Sequence, residues 1–340
     1  MKISAGQNTT KPSTIFRMPK LTESQFKAPW WLKSPHLQTI WPTLVRPGRA
    51  FPGEWESMEL RDGDFIELVW RRGDGPLVML IHGLEGSLQS HYAIPILEAL
   101  AEVGFSTVFM HLRGCGRKPN RLARSYHSGA TEDLVEILEK LEQRDEKPSA
   151  VIGISLGGNL LLKYLGENGA GSKLSAAVAV SVPFYLDRTA EHLQKGTARI
   201  YQRYLLSKLL ANYRRKFSNR PAPLDVDLSA IDSIYAFDDR ITAPLNGFDG
   251  ADDYYRRCSS IGFLKDIVTP TLILHAADDP FMPSGSTPNE DQLGPGITLE
   301  LSQQGGHVGF ISGSYPWKQS YWIESRIPTF LKQQLNGAVR

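Results

Sequence analysis

The sequence predicts an α/β fold in which helices cover both faces of a mostly parallel central sheet. Short apolar runs without polar alternation, of which "PLVMLIHG" (76–83) is the first, are typical of strands buried on both faces. Segments with helical spacing separate these runs along the chain, as in repeated strand-helix units. The length of 340 residues and the apolar content of 41% allow a core large enough for such a sheet.

The elements follow one another in regular order from residue 53. A hairpin is predicted around Asp62-Gly63. The strands that follow are predicted at 76–83, 105–114, 149–155, 174–184, 270–279 and 297–307. Helices are predicted at 91–104, 131–144 with Thr131 as its N-cap, from the end of the third of these strands to about residue 168, and at 320–335.

Two segments interrupt this order and divide the chain into parts. Residues 1–52 form an N-terminal arm, polar and loosely ordered to residue 25, then rich in Trp and Pro and expected to pack irregularly. Residues 185–255 form an insertion whose clearest helix is 192–217. Residues 53–184 and 256–340 are then the core. The insertion is expected to be a lid over the carboxyl ends of the strands, where open α/β folds bind ligands.

Composition restricts the partners and the compartment. The 38 basic and 36 acidic residues give a net charge of +2, which calls for no nucleic acid. Two cysteines make a disulfide framework implausible and favour a reducing compartment. We find no secretory signal and no apolar run of about 20 residues, so a cytoplasmic protein without a transmembrane segment is expected. The oligomeric state stays open.

The stretch "VIGISLGGNL" (151–160) places Ser155 between two glycines, after a strand and before a helix. The pattern G-x-S-x-G in this context is typical of a sharp turn that presents a serine hydroxyl above a sheet. The helix that begins there directs free N–H groups toward negative charge. The alternative is an ordinary glycine-rich turn. We interpret Ser155 as a nucleophile.

A serine nucleophile needs a base, and the base needs a carboxylate to orient it. His307 in "QQGGHVGF" follows the last predicted strand, and the glycines before it allow the loop to return over the sheet. His82, His111 and His275 lie near strand ends and compete for the role. The acid is expected at the end of the preceding strand, where Asp279 is favoured over its neighbour Asp278.

The stretch "HGLEGS" (82–87) follows the first buried strand. In a turn of this kind an oxyanion is held by two backbone N–H groups, one from the residue after the nucleophile and one from such a loop. We therefore expect the oxyanion hole to comprise Leu156 and Leu84. A plain strand-ending turn is the alternative, and Glu85 has no evident role.

Several of these stretches together resemble the YheT-like esterases, a bacterial branch of the α/β-hydrolases that also include eukaryotic acylglycerol and phospholipid hydrolases. The resemblance covers about residues 30–335, and its most specific part is "DDRITAPLNGF…DYYRRCS". The other matching stretches are "PHLQTIWP", "HGLEGS", "HLRGCGRKPNR", "YHSGATEDL", "GISLGGN", "HAADDPFM" and "GGHVGF". It implies carboxylic ester hydrolysis by Ser155, Asp279 and His307, and a structural role for "DDRITAPLNGF" beside the lid and the active site.

Two further features have alternative interpretations, and the motifs of metal and phosphate sites are missing. The basic and aromatic residues of 199–220 suit either contact with an anionic membrane surface or, more often, a solvated lid face. Cys115 is expected to be an ordinary loop cysteine rather than a reactive thiol. No cluster has metal-binding spacing and no phosphate loop is present, so neither a metal nor a cofactor is expected.

The sequence thus predicts a serine carboxylesterase acting on small-molecule acyl esters, with short to medium acyl chains. Two alternatives use the same residues: a monoacylglycerol or lysophospholipid lipase, and an acyltransferase. A catalytically silent interaction module with the same fold is a third. The natural substrate depends on how the lid packs, which residue spacing does not determine.

Overall fold

The computed structural model describes residues 20–46 and 48–335, and it contains a nine-stranded sheet with a separate two-stranded hairpin. The sheet comprises β1 (Lys20–Glu23), β2 (Glu54–Glu59), β3 (Phe65–Arg71), β4 (Leu77–Ile81), β5 (Ser106–Met110), β6 (Ala150–Ile154), β7 (Ala176–Val180), β8 (Thr271–Ala276) and β9 (Ile297–Ser302). The hairpin comprises β10 (Ile311–Tyr315) and β11 (Lys318–Tyr321).

The strand order is β1-β9-β8-β7-β6-β4-β5-β3-β2. All neighbours from β1 to β5 in this order are parallel, whereas β3 and β2 are antiparallel additions at one edge. From β4 the chain first adds β5 on one side and then β6 on the other. This reversal opens a crevice at the carboxyl ends of the central strands, where ligands of such sheets bind.

Helices cover both faces of the sheet and form a separate group after β7. They are α1 (Pro35–Val45), α2 (Ala93–Glu102), α3 (Thr131–Gln143), α4 (Leu156–Asn168), α5 (Leu186–Leu193), α6 (Arg199–Lys216), α7 (Ile234–Phe237), α8 (Ala243–Leu245), α9 (Ala251–Cys258) and α10 (Trp322–Leu335). Apolar residues of α2 and α10 pack on one face, and those of α3 and α4 on the other. The predicted α/β class with a mostly parallel sheet is confirmed.

Two local predictions were wrong. The helix predicted over 192–217 is divided into α5 and α6, because Gly196 adopts φ +50° between them, a left-handed conformation that ends a helix. Thr131 is the first residue of α3 and not its N-cap, which is Ala130. The Thr131 hydroxyl donates to Glu167 Oε2 of α4 at 2.7 Å, so it joins two helices instead of capping one.

The N-terminal arm is more regular than predicted. Residues 20–23, expected to be loosely ordered, form β1 and extend the parallel sheet beside β9. The stretch expected to be irregular contains α1, which begins after the Ser34 cap. The first 19 residues of the predicted arm lie outside the described residues. The arm therefore contributes both a strand at the sheet edge and a helix.

Gln38 of α1 joins the arm to the chain that follows β9. Its side chain is fully buried. The amide nitrogen donates to the backbone oxygens of Leu32 at 2.9 Å and Ile311 at 3.0 Å, and the amide oxygen accepts from Ile311 N–H at 2.7 Å. Since buried polar groups are costly when unpaired, these three bonds hold α1 in a fixed position.

We expect Gln38→Ala to lower the free energy of unfolding by about 3 kcal/mol, because it leaves three buried backbone groups without partners. Urea unfolding followed by circular dichroism measures the change. Gln333→Ala on the exposed side of α10 is the matched control and should change stability by less than about 0.5 kcal/mol. Equal losses in the two variants would contradict the role assigned to Gln38.

Candidate active site

Ser155 occupies a one-residue turn between β6 and α4, with φ 51° and ψ −116°. This backbone conformation is strained for a residue with a side chain. A Cβ atom on Gly153 would lie 2.3 Å from the Gly157 oxygen, and one on Gly157 would lie 2.5 Å from the His82 oxygen. Only glycine fits at these two positions. The turn that gives Ser155 its strained backbone therefore also requires the two glycines.

Ser155, His307 and Asp279 are joined by hydrogen bonds, although they lie far apart in the sequence. The Ser155 Oγ atom lies 3.0 Å from His307 Nε2. The other ring nitrogen, Nδ1, lies 2.8 Å from Asp279 Oδ2. In this order the imidazole is placed to accept the serine proton while the carboxylate stabilises the imidazolium ion that results.

The two adjacent carboxylates, Asp278 and Asp279, have different partners. Asp279 is buried, and its second oxygen accepts from Phe281 N–H at 2.9 Å. The Asp278 Oδ1 atom instead accepts from Gly306 N–H at 3.0 Å. Asp278 therefore holds the loop that precedes His307, whereas Asp279 contacts the ring itself.

The backbone N–H groups of Leu84, on the loop after β4, and of Leu156, the first residue of α4, lie on either side of Ser155. A Cβ atom on Gly83 would be 3.1 Å from Ser155 Cβ, so the loop containing Leu84 passes directly beside the serine. Tyr92 fixes that loop by accepting from Gly83 N–H at 3.0 Å. Within the described ranges neither leucine N–H donates to a protein atom, so both can bind an oxyanion.

The competing histidines lie in structural positions. His82 is buried, with Nδ1 2.7 Å from the Gly83 oxygen and Nε2 accepting from Leu112 N–H at 3.0 Å. Burial lowers the pKa of His82 to about 3 and the pKa of both His111 and His275 to about 4. Neutral, buried imidazoles of this kind contribute to packing, and none of the three forms a hydrogen bond with Ser155 Oγ, which lies beside His307.

The depressed pKa of His275 predicts a pH-dependent effect on stability. Between about pH 6.5 and pH 4 the unfolded chain binds a proton on this imidazole that the folded protein does not, so acid favours unfolding. As the pH falls through that window, the free energy of unfolding of His275→Gln should therefore decrease less steeply than that of the wild type. The difference is up to about 1.4 kcal/mol per pH unit. Urea unfolding of both proteins across this range measures the difference, and parallel pH curves would contradict it.

Three contacts that sequence reasoning missed hold the His307 loop. Thr39 Oγ1 of α1 accepts from His307 N–H at 2.9 Å. Ser181 Oγ accepts from Val308 N–H at 3.0 Å. The ring of Phe281 stacks on the imidazole, with centroids 3.9 Å apart and planes inclined by 6°. The motif "PHLQTIWP", which contains Thr39, was the available signal for the first contact.

A cavity of about 650 Å³ opens above Ser155 and His307. Its walls come from the strand ends, from α1 and from the helices after β7. Most wall residues contributed by those helices are apolar; they include Leu193, Leu205, Leu209, Ile234, Phe237 and Ile241. The helices between β7 and β8 thus form one side of the cavity and have a small apolar core of their own.

Glu85, to which the sequence analysis assigned no role, connects this helical group to the loop of Leu84. Tyr126 OH donates to Glu85 Oε1 and accepts from Glu85 N–H, both at 2.8 Å. Asn212 of α6 donates to the same carboxyl oxygen at 3.2 Å. Burial raises the pKa of Glu85. The position of α6 and the conformation of the loop beside Ser155 are therefore coupled through one side chain.

The segment "DDRITAPLNGF" contains a five-residue π-helical stretch, Asp238–Thr242. Asp238 is half-buried and accepts from Tyr255 OH and Thr242 Oγ1, each at 2.7 Å. Burial raises the pKa of Asp238 to about 6. This side chain ties the segment to α9 and lines the cavity, which accords with the structural role that the resemblance implies.

Neither a metal site nor a reactive thiol accompanies this arrangement in residues 20–46 and 48–335. No group of three or more His, Cys, Asp or Glu side chains there has the geometry to hold a metal ion. Burial raises the pKa of the Cys115 thiol well above its ordinary value, which disfavours the reactive thiolate.

A sequence model of the alpha/beta hydrolase fold matches residues 76–314. The chain belongs to the α/β-hydrolase family. The family match begins just before β4 and ends within β10, and it includes all the strands and loops that carry Ser155, Asp279 and His307. The resemblance inferred from the sequence is thereby confirmed at the level of the family.

Two relatives and one solved structure are similar to this chain over most of its length. The Escherichia coli K12 protein named "Putative esterase YheT" is 44% identical over 311 residues, 89% of this chain and 91% of that protein. A Bos taurus protein named phospholipase ABHD3 is 30% identical over 320 residues, 89% of this chain and 77% of that protein. A solved Pyrococcus furiosus esterase shares the fold, with a TM-score of 0.55 and 18% identity over 94% of this chain and 99% of that one.

Proposed function

We propose that the protein is a serine carboxylic ester hydrolase that works through an acyl-enzyme. One observation carries this proposal: the unbroken series of hydrogen bonds from Ser155 through His307 to Asp279, at the bottom of a largely apolar cavity. The esterase and phospholipase names of the relatives agree with ester chemistry.

In the proposed reaction Ser155 Oγ attacks the ester carbonyl carbon while His307 Nε2 takes the hydroxyl proton. The tetrahedral intermediate collapses, the alcohol leaves with the proton from His307, and the acyl group remains on Ser155. Water then attacks the acyl-enzyme, His307 takes a proton from it, and the carboxylic acid leaves as that proton returns to Ser155. Asp279 keeps the imidazole in the required tautomer and stabilises its charged form.

The Leu84 and Leu156 backbone N–H groups are proposed as the oxyanion hole. They flank Ser155 and are free of protein acceptors in the described part of the chain, so they can bind the negative charge that develops on the carbonyl oxygen. Preorganised donors act chiefly in the transition state, and the loss of one commonly costs about 3 kcal/mol of barrier lowering. A bound metal or cofactor has no part in this mechanism.

We propose residues 53–184 and 256–340 as the hydrolase core and residues 185–255 as a helical lid. The apolar lid residues that line the cavity are suited to an acyl chain, whereas Glu85 and Asn212, which are hydrogen-bonded to each other, are polar members of the wall. Acyl esters of short to medium chain length are the proposed substrates. The bond from Asn212 to Glu85 links the lid to the loop of Leu84, which Tyr92 and Tyr126 also hold.

A lipase acting on monoacylglycerols or lysophospholipids is the second candidate, and the cavity volume and the phospholipase name of the Bos taurus relative favour it. Acyl transfer to an alcohol would use the same residues, with the alcohol in place of water. Adding ethanol to the assay and measuring ethyl ester by gas chromatography separates transfer from hydrolysis.

The test of the proposed function is a panel of p-nitrophenyl esters of increasing acyl length with purified protein. We expect kcat/KM to rise with chain length until the cavity is filled and then to fall. A lysophospholipid tested in parallel distinguishes the lipase. Absence of turnover with every ester and lysolipid would contradict ester hydrolysis and favour a silent module.

A further inference from the structure

Exposed apolar side chains are concentrated on three segments of the molecule. Of the eleven large apolar side chains that are exposed in residues 20–46 and 48–335, eight lie on the end of the arm that includes α1, on α6, or on the β10–β11 hairpin. These eight are Trp30 (71% exposed), Leu37, Ile40, Leu44 (73%), Ile200 (65%), Tyr204, Tyr315 and Trp317 (82%). Single exposed apolar residues are ordinary, but a group of this size indicates an interaction surface.

Direct contacts make the three segments neighbours. His36 of α1 lies against α6, with its Nδ1 atom 2.9 Å from Tyr201 OH. On the other side, Trp41 Nε1 of α1 donates to Gln319 Oε1 of the hairpin at 2.8 Å. Trp30 Nε1 donates to the Ser314 oxygen at 3.1 Å. We name the exposed residues of these three segments the mouth surface.

The charge of the mouth surface differs from that of the whole chain. No Asp or Glu occurs in residues 24–46, 195–220 or 311–321, although the chain has 36 acidic residues. Exposed basic residues do occur in all three segments, among them Lys33, Arg199, Arg203, Lys208 and Lys318. The mouth surface therefore combines apolar and aromatic side chains with positive charge alone.

Part of the mouth surface lies at the entrance to the cavity. Ile40 and Leu44 of α1 and Ile200 and Tyr204 of α6 are exposed and line the cavity at the same time. Lys208 does the same. A molecule that covers this surface would therefore lie directly over the route to Ser155.

We propose that the mouth surface docks on an anionic lipid bilayer and that acyl ester enters the cavity from that bilayer. The second part rests on the proposed esterase function, and the first does not. Apolar side chains that enter the boundary of headgroups and acyl chains, with Lys and Arg beside them, are what surface binding to anionic lipid requires. Exposed Trp and Tyr are suited to the same boundary.

This surface differs from the one that the sequence suggested. Within 199–220 the aromatic Tyr201 and Tyr213 face inward and are buried. Arg215, Lys216 and Arg220 donate to backbone oxygens of the loop after β5. The surface proposed for membrane contact is therefore the first half of α6 together with α1 and the hairpin, and not the whole of 199–220. In the described part of the chain, no helix is both long and apolar enough to cross a membrane.

The test is co-sedimentation of the Ser155→Ala protein with sucrose-loaded vesicles, so that binding is measured without hydrolysis. We expect binding to phosphatidylcholine vesicles that contain phosphatidylglycerol, weaker binding to phosphatidylcholine alone, and weakening by salt of the binding to the anionic vesicles only. Equal sedimentation with and without vesicles would overturn the proposal.

Two double variants, made in the Ser155→Ala protein, locate the surface. Arg199→Gln with Arg203→Gln should weaken binding to the anionic vesicles roughly tenfold or more, since each basic residue near the membrane adds appreciably to affinity. Leu44→Ser with Ile200→Ser should weaken it to a similar extent. The control is Lys265→Gln with Val268→Ser, a basic and an apolar residue that are exposed just before β8, at the amino ends of the parallel strands and so at the end of the sheet opposite the cavity.

Two outcomes would refute the lipid partner. Equal vesicle binding by the control and the two mouth-surface variants would show that this surface is not the one that binds. Sedimentation velocity that reveals a dimer, lost in Leu44→Ser with Ile200→Ser, would assign the surface to a second copy of the chain. If vesicle binding occurs but wild-type protein hydrolyses no ester, only the proposed function and substrate entry fail.

Discussion

Replacing Ser155 by alanine is expected to reduce kcat for a p-nitrophenyl acyl ester by a factor on the order of 10⁴ to 10⁶, with no change in fold. The substitution removes the Oγ atom that lies 3.0 Å from His307 Nε2, so no acyl-enzyme can form. Alanine keeps the Cβ atom that the strained turn already accommodates. Stopped-flow or steady-state release of p-nitrophenol measures the loss, and circular dichroism checks the fold.

Ser286→Ala is the matched control for that measurement. Ser286 is buried, its hydroxyl donates to the Pro283 oxygen at 2.8 Å, and it does not line the cavity. This variant should keep kcat within about threefold of wild type, as expected for a site away from the reacting atoms. A Ser155→Ala protein that retains a near-wild-type rate would refute the mechanism.

Replacing Asp279 by asparagine should reduce kcat about 10⁴-fold, whereas the same change at Asp278 should cost less than about tenfold. Asp279 Oδ2 lies 2.8 Å from His307 Nδ1, and an amide there can present its NH₂ group and favour the wrong imidazole tautomer. Asp278 accepts from Gly306 N–H, and an asparagine oxygen can accept the same bond.

Comparing the two variants is a strict test of the bond to His307, because both remove one negative charge at nearly the same place. Steady-state kinetics on both purified proteins distinguishes contact with the ring from general electrostatics. Losses of equal size would mean that net charge, and not the bond to His307, accounts for the effect. A larger loss at Asp278 would reverse the assignment.

Features with a local sequence pattern were predictable. The strand, glycine, serine and glycine of residues 151–157 imply the turn on which Ser155 lies, because the steric conditions of that turn involve only neighbouring residues and one adjacent strand. Apolar runs likewise predicted the buried strands. Asp279 could be favoured over Asp278 only by its position after a strand, since the bond to His307 spans 28 residues.

Features that depend on contacts between distant segments were not predictable. The arm was expected to be irregular because its Trp and Pro content gives no periodicity, yet Gln38 and Ile311 hold α1 in place. Phe281 gave no signal for its stacking on His307, since an aromatic residue after a strand is usually core. The mouth surface appears only when α1, α6 and the hairpin are brought together.

The most direct test of the central claim is covalent labelling with a fluorophosphonate probe. An activated serine displaces fluoride from such a probe and keeps the phosphonyl group on its Oγ atom. Mass spectrometry of the digested protein should find this group on Ser155 alone, and Asp279→Asn should slow its formation. A probe that leaves Ser155 unmodified, or that labels Ser155 equally fast after the loss of Asp279, would contradict activation through His307.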